Sequence, residues 1–511
     1  MRPLLLLLLV LVLAPFAGAR DDQTLDDFRR FYKKLESRAE RVEAVLALER
    51  IESARVVELL EPLLGDGDPE IVHAAVRVLG GLREPAPRAA LAAALQKTKS
   101  PVLRAGFLDA LTVAGLPLVE EGLSDAVVGA LADKQWTVRL GALRTLAAVG
   151  QGEVAPAIAA AAADPEPAVR AGALDGLTLR RSPLVVELAL AALADPVWQV
   201  RASAIAALGQ VRDVRSVPAL IARMEVEEGR LIADVAASLE ALTGRYFGID
   251  LDAWKGFWKN FGANYQLPTD EDMARQRAAR AEAGLRYTTP TATSYHGIDT
   301  PSRAVVFVID VSGSMQTHVV QKERFEAGNY PSFARIDIVK TELARTIERL
   351  EPHVRFNVLA FATDVMPWRK ELAPATALHK KSALEFVGRL KPLGTAEDAA
   401  LASAGLGGAS NLHKGKTNTH GALMAALGVD PGRSATTGTD YRVDVDTIFF
   451  LSDGQPTHGD FIEERDIQRV FREANALRRV VLHTLAIGDF STGFMETLAK
   501  ESGGTFVNLG R

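Results

Sequence analysis

No cysteine occurs anywhere in the 511 residues. That absence excludes disulfides, thiolate metal sites, thiol nucleophiles and a cysteine-linked lipid anchor. Catalytic signatures are missing as well: there is no G-x-S-x-G elbow and no H-E-x-x-H helix, which removes the common serine-hydrolase and zinc-hydrolase patterns. Aromatic residues make up only 6% of the chain, and a formal net charge of -5 with a pI near 6.1 argues against a generic polyanion binder. Nucleic acid is therefore not an expected partner. Long apolar runs are confined to the N-terminus, where "MRPLLLLLLVLVLAPFAGAR" carries one arginine, an apolar stretch from Leu4 to Ala14, and small residues at Ala17 and Ala19. This order predicts a signal peptide over residues 1–19 that is cleaved on export. As a membrane anchor the run is too short, since about 20 apolar residues are needed, and Pro15 breaks it. The mature chain is expected to be secreted or periplasmic, with no transmembrane segment.

What is present, 48% hydrophobic and 24% charged residues, is the composition of a folded protein. The length calls for two or three domains at about 100–200 residues each. After a short helical segment expected over residues 20–38, self-similarity sets in. "DPEIVHAAVRVLGGL", "SPVLRAGFLDALTVAG", "KQWTVRLGALRTLAAVG", "DPEPAVRAGALDGL" and "DPVWQVRASAIAALGQV" share a polar turn, an apolar residue, a basic residue, then Ala and Leu at helical spacing. The pairs Val72/His73, Leu103/Arg104, Val138/Arg139, Val169/Arg170 and Val200/Arg201 lie 31, 35, 31 and 31 residues apart. Each turn supplies an N-cap and often an N1 proline, and the alanines allow close helix packing. A pair of such helices cannot bury its apolar face alone, so the pairs must stack into a solenoid over residues 39–244.

This pattern resembles HEAT repeats in a short, alanine-rich form; the period is below the roughly 40–47 residues of longer units. The repeated arginines read as turn caps that cover neighbouring carboxylates. A ladder of positive charge for an acidic partner is the alternative reading. Trp136 and Trp198 recur just after turns, as packing residues or as a ridge. In "YFGIDLDAWKGFWKNFG", Trp254, Phe257, Trp258 and Phe261 fall on one helix face, expected to cover the solenoid's open end. "DEDMARQRAARAEAGLR" reads as an exposed helix, and "TTPTATSYHGIDTPSR" as a linker. Together they make residues 245–301 a cap, charged helix and linker before a second domain over 302–511.

That second domain begins with "AVVFVIDVSGSM", a buried strand running into Asp310, Ser312 and Ser314 at alternate positions, which lets an extended turn aim alternate oxygens at one spot. Further strands, "VRFNVLAF", "VDTIFFLSDG", "VVLHTLAIG" and "GTFVNL", alternate with helices such as "RIDIVKTELARTIERL". Alternation of this kind predicts an α/β, doubly wound, mostly parallel sheet. A strand followed by D-x-S-x-S, a later Thr417-Asn418 and a later strand ending in S-D-G resemble the von Willebrand factor A domain with its metal-ion-dependent adhesion site. The resemblance implies that Ser312, Ser314 and Thr417 offer hydroxyl ligands while Asp310 and Asp453 hold the ion directly or through waters. An all-oxygen set suits a hard divalent cation, Mg²⁺ first and Mn²⁺ or Ca²⁺ otherwise. The ligand it implies is an acidic side chain of a protein partner.

The stretch "SNLHKGKTNTHGAL" also mimics a phosphate loop, with Ser410 where the first glycine belongs, but no β-branched strand precedes it, so Thr417 reads as the third hydroxyl. The loops 315–334 and 391–416 are long enough to be functional or mobile. His318, His413, His420 and His458 on or near them read as surface histidines. The leading expectation is a non-catalytic, exported binding or scaffold protein. The alternatives are a non-catalytic subunit of an enzyme or chelatase-like assembly, and a structural envelope protein that self-associates.

Overall fold

The computed structural model describes residues 20–118, 122–151, 153–283, 293–404, 413–429, 441–488 and 492–509. The expected signal peptide lies outside the described residues. The chain forms two compact units, one built on the chain up to Ala207 and the other on the chain from Leu208 onward. Among the described residues no helix is long and apolar enough to cross a membrane.

The first unit is a two-layered stack of helix pairs. Ala54–Leu60 precedes Pro69–Gly81, Pro85–Lys97 precedes Pro101–Ala114, Leu123–Ala130 precedes Trp136–Val149, and Ala155–Ala160 precedes Pro167–Leu179. The longer second helices pack on one another in chain order, and so do the first three of the shorter ones. Caps fall where the repeated turns place them: the Asp68 carboxylate accepts from Glu70 N and the Ser100 hydroxyl from Leu103 N, each followed by a proline at the helix start. Leu108, Leu143, Leu146 and Leu177 are fully buried between layers. The close approach is visible at Gly172, where a methyl group would come 2.6 Å from Leu140 Cδ1. Trp136 and Trp198 each open a helix and stay half-buried.

The repeated arginines do two jobs at once. Arg139 Nη1 donates to the Asp133 carbonyl at 2.9 Å and Arg170 Nη1 to the Asp164 carbonyl at 3.0 Å, so each closes the turn that begins its own helix. Their other nitrogens reach forward to the next turn: Arg139 grips Asp164 with two bonds of 2.7 Å, and Arg170 grips Asp195 at 2.8 and 3.0 Å. Arg104 likewise pairs with Asp133. The same carboxylates also cap their own turns, with Asp164 accepting from Glu166 N at 2.8 Å and Asp195 from Val197 N at 2.9 Å. In the structure these arginines therefore serve as turn caps and inter-repeat pairs.

The second unit opens with the helices Ser216–Met224, Leu231–Thr243, Leu251–Phe261 and Asp270–Ala283. Of the four aromatics expected on one buried face, Trp254 and Phe257 are buried, Trp258 is half-buried and Phe261 is 62% exposed. Phe261 is the last residue of its helix, and its ring only leans on Phe257 at 5.7 Å. A hairpin, β1 (Thr293–Tyr295) and β2 (Ile298–Thr300), leads into the sheet. Tyr295 sets its ring edge-on against Phe307 and Phe449 at 5.3 and 5.5 Å, tying the hairpin to the core.

The sheet contains β3 (Ala304–Asp310), β4 (Arg355–Phe361), β5 (Val365–Pro367), β6 (Ala373–Pro374), β7 (Thr447–Ser452), β8 (Val481–Ala486) and β9 (Phe506–Asn508). Their order is β5-β4-β3-β7-β8-β9, with β6 also paired to β4; β5 and β6 run antiparallel and the rest parallel. Every residue of β3, β7 and β8 is buried, as in a sheet covered on both faces. Helices Arg335–Arg349 and Ala377–Arg389 cover one face, and Thr419–Ala426 packs against β3, β4 and the helix Glu464–Arg478. Strand β3 has β4 on one side and β7 on the other, so the chain reverses its winding there and leaves a crevice at the carboxyl ends of β3 and β7. At the opposite ends of the same strands, the turn before helix Leu231–Thr243 docks. Arg303 Nη1 meets Glu228 at 2.6 Å, the Ser302 hydroxyl bonds Asp446, and a methyl on Gly229 would lie 3.8 Å from Asp446 Oδ2.

Candidate metal centre

Parallel pairing of β3 with β7 sets Ile309 beside Leu451, so both strands deliver acidic residues to the same crevice: Asp310 ends β3, and Asp453 follows β7. Asp310 is fully buried and Asp453 is 3% exposed. Asp310 Oδ1 accepts from Ser312 N at 2.8 Å, and Oδ2 accepts from the Ser452 hydroxyl at 2.6 Å. The Ser312 and Ser314 hydroxyls are 3.1 Å apart, and Ser314 donates to Asp453 Oδ1 at 2.7 Å. Thr417 arrives from the loop before helix Thr419–Ala426. Its backbone N–H donates to the Thr457 hydroxyl at 2.9 Å, and its carbonyl accepts from Thr457 N and His458 N at 3.0 and 3.2 Å. The position a methyl would take on Gly454 lies 3.6 Å from Ser314 Oγ and 3.7 Å from Thr417 Oγ1, so both oxygens flank that position. The structure thus gathers all five of Asp310, Ser312, Ser314, Thr417 and Asp453 at one end of the sheet.

Electrostatics at this spot are uneven. Burial, with the Asp453 carboxylate nearby, pushes the Asp310 carboxyl up to about 7. Burial also raises Asp453, against the lowering effects of the Ser314 hydroxyl and the Arg335 guanidinium. Arg335 Nη1 lies 2.8 Å from Asp453 Oδ2. Among the described residues no group of three or more histidines, cysteines or carboxylates is arranged to hold a metal.

Three residues of the site escaped sequence reasoning. Ser452 had a signal, since it immediately precedes Asp453 in S-D-G, yet its role as donor to Asp310 depends on the β3–β7 register. Thr457 and Arg335 had none. Arg335 opens an amphipathic helix and is separated from Asp453 by 118 residues.

The flanking loops are built rather than loose where they are described. The excursion 315–334 is closed at its base by Val319 N to Phe333 O at 3.0 Å and Arg335 N to Thr317 O at 3.0 Å. It is anchored further on by the Tyr330 hydroxyl to Glu342 at 2.8 Å and by buried Phe325. Beside it, Leu393 N donates to Val311 O at 2.9 Å and Gly313 N to Gly415 O at 3.3 Å. A methyl on Gly415 would come 2.3 Å from Leu393 O, so the three backbones touch with no room for a side chain. Residues 405–412, including Ser410 of the phosphate-loop look-alike, lie outside the described residues. His318 and His413 are exposed and His458 is half-buried. His420, by contrast, is not a surface histidine: it is 3% exposed, with its ring edge-on to Phe461 at 4.9 Å, because it lies on the inner side of its helix.

Comparison with known proteins agrees with this architecture. Residues 28–112 and 154–240 match the family model for HEAT repeats, and residues 303–405 and 408–507 match that for the von Willebrand factor type A domain. The chain thus joins HEAT repeats to a von Willebrand factor type A domain. Inter-alpha-trypsin inhibitor heavy chain H4 of Homo sapiens is 31% identical over 210 residues, covering 41% of this chain and 18% of that protein. Heavy chain H1 of Mesocricetus auratus is 28% identical over 206 residues, covering 40% and 18%. The chain therefore spans less than a fifth of the length of these curated relatives. Among solved structures, the conserved hypothetical protein BatB from Bacteroides thetaiotaomicron covers 40% of this chain and 89% of its own, at 16% identity and a TM-score of 0.26.

Proposed function

We propose that this chain is a non-catalytic, exported binding protein. In this reading its von Willebrand factor type A domain holds a divalent cation through Ser312, Ser314 and Thr417, with Asp310 and Asp453 directly or through water, and receives an acidic side chain of a protein partner. One observation carries the reading: two buried carboxylates and the residues of three hydroxyls lie together at the topological switch point, with Ser314 Oγ and Thr417 Oγ1 flanking Gly454. The oxygen-only set favours Mg²⁺, with Mn²⁺ or Ca²⁺ as substitutes. Once bound, such an ion supplies an electrophilic position open to an incoming carboxylate.

The protein's own groups prepare that position. Ser312 N–H and the Ser452 hydroxyl hold Asp310 from behind, fixing its orientation without reducing its charge. Thr457 fixes the backbone of Thr417, so that its hydroxyl is presented without searching rotamers of the loop. Burial of Asp310 favours its protonated form, so metal uptake would release a proton and strengthen as pH rises through neutrality. The relatives are by name heavy chains of an inhibitor, which fits a subunit that acts by holding other proteins. The apolar N-terminal run supports export.

The test is thermal unfolding of the full chain after EDTA treatment, with Mg²⁺ added back, for the wild type and Asp310→Ala. Mg²⁺ should raise the wild-type midpoint by several degrees and leave the variant unmoved. Equal midpoints for the wild type with and without Mg²⁺ would refute the metal reading.

A further inference from the structure

Arg335 is the residue at this site that metal ligation does not account for. Its guanidinium is inside the protein: the Arg335 side chain is 11% exposed, the side chain of its partner Asp453 is fully covered, and Arg335 Nε is buried without a hydrogen-bond partner. Its place is made by two features. The backbone N–H donates to Thr317 O at 3.0 Å, locking the first turn of helix Arg335–Arg349 against the loop that carries Ser312 and Ser314. Gly488, just beyond β8, leaves the room the guanidinium occupies: a methyl there would sit 2.8 Å from Arg335 Cζ and 3.0 Å from both terminal nitrogens.

Formal charge shows what this placement does. With both carboxylates ionised, Asp310, Asp453 and Arg335 leave one negative charge uncompensated. A divalent ion added to that set produces one net positive charge; without Arg335 the loaded site would be neutral. Resting on the metal reading above, we propose that Arg335 is a fixed counter-charge that weakens the site's hold on the divalent cation and strengthens the loaded site's hold on an anionic ligand. It acts as a positioning and specificity-determining residue and is not itself a metal ligand.

The opposite signs of the two effects make the proposal testable. Full-length wild type, Arg335→Gln, Arg335→Met and Arg335→Lys are stripped with EDTA and titrated with Mg²⁺ by calorimetry. Acetate is then titrated into the Mn²⁺-loaded proteins while water-proton relaxation is followed. Both neutral variants should bind Mg²⁺ on the order of tenfold more tightly and acetate several-fold more weakly, while the lysine variant stays within about threefold of wild type on both. Gly488→Ala, which touches no proposed ligand, should push the guanidinium off Asp453 and tighten Mg²⁺ binding in the same direction; it serves if the Arg335 variants do not fold. Mg²⁺ binding that is unchanged or weaker in the neutral variants and in Gly488→Ala overturns the proposal. So does a parallel loss of both ligands, which would mean that Arg335 only holds the fold. A wild type that binds no Mg²⁺ would instead remove the metal reading itself.

Discussion

Arginine–aspartate pairs occur in both units of this molecule, but their stoichiometry differs. In the helical unit each aspartate of a repeated turn has its own forward-reaching arginine: Asp133 has Arg104, Asp164 has Arg139 and Asp195 has Arg170. At the carboxyl ends of β3 and β7, two buried aspartates have one arginine between them. Where charge is matched locally, the pair ties one repeat to the next and asks for nothing from outside. Where it is left short, burial makes the remaining carboxylate costly unless a proton or a cation joins it. The same two residue types thus serve as fasteners in one unit and leave a carboxylate without its own counter-charge in the other.

Removing a fastener should have the largest effect. Arg170→Ala leaves Asp195, whose side chain is 10% exposed, without its bidentate partner, and should cost about 3 kcal/mol of stability in the helical unit. Chemical denaturation read against Arg170→Ala/Asp195→Asn, which should recover part of the loss, measures the pair itself.

Removing a charge from the site should act with the opposite sign. In EDTA, Asp310→Asn should stabilise the domain at pH 7.5 by about 1–2 kcal/mol. The sign follows from the raised folded-state value of Asp310, about 7. Between its unfolded value near 4 and that point the folded protein binds more protons than the unfolded chain, so metal-free wild type loses stability as pH rises through this window. The gap between variant and wild type should therefore narrow as pH falls from about 7 toward about 4. A gap that is independent of pH would show that Asp310 carries no such penalty.

The smallest effect sharpens the comparison from the helical side. Arg77 pairs with Glu49 at 2.9 Å, but its side chain is 62% exposed. Arg77→Ala should shift stability by no more than about 0.5 kcal/mol. A loss as large as that of Arg170→Ala would mean that pairing alone, without burial, governs these joints.

Much of this was legible because it is written in local pattern. The repeat shows in the spacing of Val-Arg pairs, and the sheet's switch point shows in apolar strands that end on D-x-S-x-S and S-D-G. Asp310, Ser312, Ser314, Thr417 and Asp453 carry their own sequence contexts and could be named together. What stayed hidden depends on distance in the chain. Arg335 reads as an ordinary helix-opening arginine until the fold sets it against Asp453, and Gly488 reads as a loop residue until a guanidinium is found over it. Helical phase alone put Phe261 with its three aromatic neighbours, because phase does not say where the supporting helix ends. His420 looked like a loop histidine for the complementary reason: the first turn of its short helix is turned inward.

The arginines of the stack have a consequence for how such a chain can change length. Each behaves as a clasp, with one end on the carbonyl behind it and the other on the acid of the turn ahead, and consecutive clasps differ only in which repeats they join. Excising one whole 31-residue period would bring Arg170 into the place of Arg139 and leave every surviving clasp with an acid and a carbonyl of the same kind. Excising a fraction of a period would strand an arginine opposite no acid. A change by whole periods thus preserves the chemistry of each joint, and a change by part of one does not.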